Sequence, residues 1–68
     1  MDFDLGEHEY IQLNQLLKVL GLAQTGGEAN QRIVDGELRL NGAVELQKRK
    51  KLRPGDVVEF GSEKITIR

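Results

Sequence analysis

The sequence predicts an α+β domain, two short helices packed on a small sheet of about four to five strands, and three observations carry that prediction. Leu13, Leu16, Leu17 and Leu20 recur at the spacing of one helical face. Thr25 and Glu28 stand three residues apart, the spacing of a capping box in which each side chain satisfies the other residue's backbone N–H. Beyond Gly36 the apolar period shortens to two, and Asn41-Gly42 is a strong signal for a two-residue hairpin.

Taken in order, residues 1–9 show no sustained period and hold Asp2, Asp4, Glu7 and Glu9 without a Lys or Arg, which predicts a loosely ordered acidic arm. "HEYIQ" follows as a short strand. The leucine face from Leu13 predicts the first helix, which Gly21 stops. The second helix begins after Thr25, places Ala29 and Ile33 on one face and ends at Gly36 after about ten residues, since a glycine accepts the left-handed conformation of such endings. Leu38 and Leu40 then alternate with Arg39, and Val44 with Leu46 returns as the partner strand. Pro54-Gly55 forms a turn, "DVVEF" a strand, Gly61-Ser62 a second tight turn, and "KITIR" a closing strand with Ile65 and Ile67 inward.

At 68 residues the chain is read as one domain spanning 1–68. A domain of this size buries only about 60% of the surface its unfolded chain exposes, and a core so thin argues against an elaborate internal pocket. Cysteine is absent, so neither disulfides nor a thiolate metal site are available. The acidic start is unlike a signal peptide, and no apolar run reaches the roughly 18 residues needed to span a bilayer, so the expected location is the cytoplasm with no membrane partner.

Catalysis is not expected. The single histidine, His8, lies in the acidic arm and reads as a solvated surface residue, and Ser62 sits in a turn. No nucleophile, base and orienting acid share a plausible site, and the carboxylates lack the spacing of a calcium loop. No cofactor or metal is therefore implied.

Charge distribution is more informative than the net charge of -1. Lys48, Arg49, Lys50, Lys51 and Arg53 place half of the ten basic residues within six positions, with no acid among them. Such a run has two readings, a solvated loop that blunts a sheet edge or a surface for phosphates. The second helix start adds a second component. Its backbone N–H groups lie at the positive end of the helix dipole, and Gly26 and Gly27 carry no side chain to obstruct an anion. The alternative there is a well-capped helix and nothing more. No lysine-threonine pair or βαβ context follows the glycines, which excludes a nucleotide-binding loop.

The order "LNQLLKVLGLAQTGGEANQRIVDGELRLNGAVEL" followed by "KLRPGDVVEF" resembles the RNA-binding domain of small-subunit ribosomal protein four, and within that family the small stand-alone bacterial members. The same domain occurs in tyrosyl-tRNA synthetases, pseudouridine synthases and a heat-shock protein. The resemblance covers about residues 10–61. It implies that the two helices and the following hairpin form an L-shaped motif that binds structured RNA. The expected partner is a structured RNA, ribosomal or transfer RNA being candidates, met by a monomer acting alone or on the ribosome. The family commonly has serine then arginine at the second helix start, where this chain has Thr25 and Gly26. The small members share the "TGGEA" form.

Together these readings predict an RNA-binding protein that recognises backbone and shape, since aromatics for stacking bases are few. The candidate contacts are Thr25, Gly26, Gly27, Asn30, Gln31, Arg32, Arg39, Lys48, Arg49, Lys50, Lys51 and Arg53. The competing function is a protein-interaction or ubiquitin-like sulfur-carrier module, suggested by "LRLNG" and "LRPGDVVEF". Its chemistry would need a flexible Gly-Gly tail, whereas the sequence closes on "KITIR".

Overall fold

Leu13, Leu16 and Leu17 are fully buried, as the leucine spacing requires, on helix α1, Leu13–Val19. The computed structural model describes all 68 residues. Gly21 takes φ of 74° just beyond the helix, and the N–H groups of Leu22 and Ala23 turn back to Leu17 O at 2.9 and 3.1 Å. Helix α2, Gly26–Val34, then starts on Thr25, whose hydroxyl oxygen accepts from Glu28 N at 3.1 Å. The reciprocal half of the predicted cap is displaced by one residue, because Glu28 Oε2 accepts from Gln24 N at 3.3 Å and not from Thr25 N. Thr25 is extended, with φ of -133°, and the carboxylate meets the preceding N–H instead.

Seven strands complete the fold. They are β1 (Asp2–Phe3), β2 (Ile11–Gln12), β3 (Leu38–Leu40), β4 (Ala43–Val44), β5 (Lys51–Leu52), β6 (Val57–Phe60) and β7 (Glu63–Ile67). Five form a mixed sheet in the order β1-β7-β6-β3-β4, parallel only between β1 and β7, while β2 and β5 make a separate antiparallel ribbon. Leu38, Val58, Ile65 and Ile67 point from the sheet into one apolar core with Ala29, Ile33 and the α1 leucines, and no polar side chain is buried there. No helix is long and apolar enough to cross a membrane.

The hairpin forms as its turn residues require. Asn41 and Gly42 have φ of 52° and 90°, and Leu40 pairs with Ala43 across them. The partner strand is shorter than its sequence suggests, however. It stops at Val44, although Glu45 N still donates to Leu38 O at 3.0 Å, and Leu46 is 56% exposed where Glu45 Oε2 accepts from Gln47 N.

The expected loose arm is the larger correction. Asp2 and Phe3 pair with Thr66 and Ile67, the terminal amine donates to Lys64 O at 2.6 Å, and Leu5 is only 5% exposed. The acids that made residues 1–9 look unstructured lie on the outside, while Phe3 and Leu5 supply the inward contacts.

Candidate nucleic-acid interface

Helix α1 has no side-chain cap: Gln12 precedes it and makes no capping bond. Its first N–H groups would be unsatisfied without outside partners. The basic run supplies them, since Leu13 N donates to Lys50 O at 2.9 Å and Asn14 N donates to Lys48 O at 3.0 Å. A turn closed by Lys50 N on Gln47 O holds those carbonyls in place. The backbone of the run thus serves the fold, and the Lys48 and Arg49 side chains are left exposed.

The run is also not wholly a loop. Lys51 and Leu52 form β5 against Gln12 and Ile11, and Leu52 is fully buried between two exposed cations. Alternation along the strand sends Leu52 into the core and Lys51 and Arg53 to the other side. There they flank Tyr10, with Lys51 Nζ 4.9 Å and Arg53 Cζ 5.8 Å from the ring centroid. None of the five cations has a carboxylate within 4.0 Å, because every ion pair in the protein involves Arg32 or Arg68. Their positive potential is uncompensated locally.

Asn30 joins this region through α1. Asn14 Nδ2 donates to Asn30 Oδ1 at 3.0 Å, so one asparagine touches the basic loop through its backbone and α2 through its side chain. Gly26 opens α2 four residues before Asn30, about 6 Å along that helix at about 1.5 Å per residue, with Thr25 before it and Gly27 after it. A β-carbon added at Gly26 would meet nothing within 4 Å, and one at Gly27 only Thr25 Oγ1 at 3.9 Å. Neither glycine has a positive φ, so neither packing nor conformation demands it.

Other candidates lie apart. Arg32 is two residues from Asn30, about 200° around the helix, and turns to the other side. Its guanidinium meets Glu28 and Glu37 at 3.5 and 3.3 Å and sits 5.6 Å from the Phe60 ring centroid. Gln31 Nε2 is engaged by Asp35 at 2.9 Å. Arg39 lies on the sheet face opposite the helices, beside Glu59 in the register, and reaches Gly42 O. Sequence reasoning missed Asn14 and Tyr10. The available signal for Asn14 was a polar amide in the first turn of a helix with no capping residue before it.

The helix pair, the basic run that caps α1 and the hairpin tip agree with one family, whose pattern matches residues 3–68. The chain belongs to the S4 domain family. Within the family it is 35% identical over 65 residues to the Escherichia coli (strain K12) protein named "Putative RNA-binding protein YbcJ", covering 96% of this chain and 93% of that one. A Shigella flexneri protein, "Uncharacterized protein YbcJ", is equally similar over the same span. The solution structure of E. coli YbcJ superposes with a TM-score of 0.72, covering 97% of this chain and 84% of the other, and is described as revealing an "ALFAL" motif involved in RNA-binding. This S4 domain therefore has the two-helix and hairpin arrangement that the resemblance implied, and the carrier-module alternative gives way to it.

Proposed function

We propose that this S4 domain binds structured RNA, chiefly through its phosphate backbone. The observation that carries the proposal is the basic run, whose backbone is locked onto α1 while its five cations remain free of carboxylates. Fixed main chain with cations that have no carboxylate partner suits phosphates, which position a nucleic acid without reading its sequence. The family and the description of YbcJ as RNA-binding support the same reading.

In this reading Lys48, Arg49, Lys50, Lys51 and Arg53 contact one stretch of backbone, with Asn14 and Asn30 beside them. Thr25, Gly26 and Gly27 present helix N–H groups to a further phosphate at the start of α2. Arg32 and Gln31 serve the fold of α2, and Arg39 meets RNA only if the RNA reaches the far sheet face. The domain acts as a cytoplasmic monomer on a ribosomal or transfer RNA element, and it binds without catalysing a reaction.

Titration against a structured RNA across a salt series tests the proposal. Five phosphate contacts give a log–log slope of about -3.5 to -4.5, or a loss of a few hundredfold between 50 and 200 mM salt. No binding at low salt, or binding indifferent to salt, overturns it.

A further inference from the structure

Between the N-terminal segment and the exposed side of α1 lies a cleft of about 310 Å³. Phe3, Tyr10, Ile11 and Val19 form its apolar walls, and His8 and Gln15 bring hydrogen-bonding groups into the lining. Val19 is 61% exposed and Tyr10 38%, so these walls are open to solvent. The phosphate contacts of the basic run leave this cleft without a role.

Tyr10 connects the cleft to the basic run. Tyr10, which lines it, has Lys51 and Arg53 over its ring, at 4.9 and 5.8 Å. Resting on the RNA-binding reading, we propose that the cleft receives one unpaired nucleobase of the bound RNA, while Lys51 and Arg53 hold the phosphate of that nucleotide.

Size, chemistry and charge all favour this occupant. Pockets for small ligands start at about 300 Å³, so the cleft has room for a single planar heterocycle and excludes a duplex. Any base offers a π-face to an aromatic side chain, and its polar edge needs hydrogen-bonding partners of the kind His8 and Gln15 provide. Charge distinguishes the parts of the lining. Lys51 and Arg53 stand over Tyr10, whereas the N-terminal segment carries Asp4, whose Oδ1 accepts from Gly6 N at 2.7 Å, with Glu7 and Glu9 before Tyr10 in the chain. The two cations favour a phosphate at Tyr10, and the carboxylates disfavour one along the N-terminal segment. An apolar peptide side chain would fill the walls but would leave the paired cations beside Tyr10 unexplained.

Six hairpin RNAs with one stem sequence, of three kinds, test the inference: one fully paired, four with a single bulged nucleotide carrying each of the four bases in turn, and one with an abasic residue at the bulge. At least one bulged base is expected to bind about tenfold tighter than the paired and abasic hairpins, and to shift the amide resonances of Tyr10, Gln15 and Val19. Val19→Trp, which fills the cleft from an exposed helix position, removes that preference and leaves the paired hairpin's affinity unchanged. Circular dichroism checks its fold, and Gln15→Trp, also from an exposed position on α1, replaces it should Val19→Trp not fold. Equal binding of all six hairpins overturns the cleft assignment while the phosphate reading stands. A preference that survives filling the cleft overturns it as well, and leaves the cleft to another occupant such as a protein side chain. Failure of every hairpin to bind overturns both.

Discussion

Asn41, at the tip of the β3–β4 hairpin, is tied to Asp56 at the start of β6 through Asn41 Nδ2 and Asp56 Oδ1, 3.0 Å apart. The same amide accepts from Val57 N at 2.8 Å through its Oδ1, and Asp56 Oδ2 accepts from Arg53 N at 2.8 Å. Asn41 and Asp56 therefore join the hairpin tip to the end of the basic run. Asn41→Ala should destabilise the domain by about 1–2 kcal/mol, from the missing hydrogen bonds and from placing alanine at positive φ. Asn41→Gly relieves the backbone part and should cost less. Urea denaturation of both variants measures this, and an alanine variant as stable as the parent would mean that the link contributes nothing to stability.

Gly26→Ala and Gly27→Ala separate folding from binding. Both sites have room for a methyl group and ordinary helical backbone, so each substitution should stabilise α2 by a few tenths to about 1 kcal/mol. If a phosphate approaches the bare helix start, the same substitutions weaken RNA binding, by about fivefold for the loss of one hydrogen bond worth about 1 kcal/mol. Stability rising with affinity unchanged would take the helix start out of the interface.

Within the basic run, neighbouring positions should respond oppositely. Leu52→Ala removes a fully buried side chain and should cost about 2–5 kcal/mol. Combined replacement of Lys48, Arg49 and Lys50 by Ala should leave the melting temperature within a few degrees, because only their backbone supports α1. It should also reduce the steepness of the salt dependence by about 0.7–0.9 for each phosphate that no longer meets a cation.

Arg32→Ala should show the reverse of the lysine variants. Its ion pairs are more than a third exposed and contribute little, so the loss is about 1 kcal/mol, shared with the contact to Phe60. RNA affinity and its salt slope should not change. A large binding defect in a folded Arg32→Ala protein would restore this residue to the interface.

The N-terminal segment is expected to be structural. Leu5→Ala should cost about 2 kcal/mol or more, and deletion of residues 1–5 should destabilise further by uncovering the β7 edge. Thermal unfolding decides the matter: an unaffected midpoint would return the segment to the status of a loose arm.

How far the sequence could be read depends on the range of the forces involved. The α1 leucine face, the Thr25 cap and the Asn41-Gly42 turn are each satisfied within a few residues, so their signals are local and all three appear in the structure. Strands β1, β2, β4 and β5 have two residues each, too few to establish a period. Their existence depends on distant partners, Phe3 on Ile67 and Leu52 on Ile11, and composition misled where acids surrounded Phe3 and cations surrounded Leu52.

By itself the sequence determined the α+β class, the helix limits to within a residue or two, the hairpin turn and the clustering of five cations, because periodicity, capping and charge density are properties of neighbours along the chain. Tertiary structure alone decided which cations share a surface. Arg32 was drawn to Glu28, Glu37 and Phe60, Arg39 was placed on the far sheet face, and Lys48 and Lys50 were anchored by their carbonyls to α1. A positive charge is identical in sequence whether it ends beside a carboxylate or in open solvent, and only the folded chain fixes that distance.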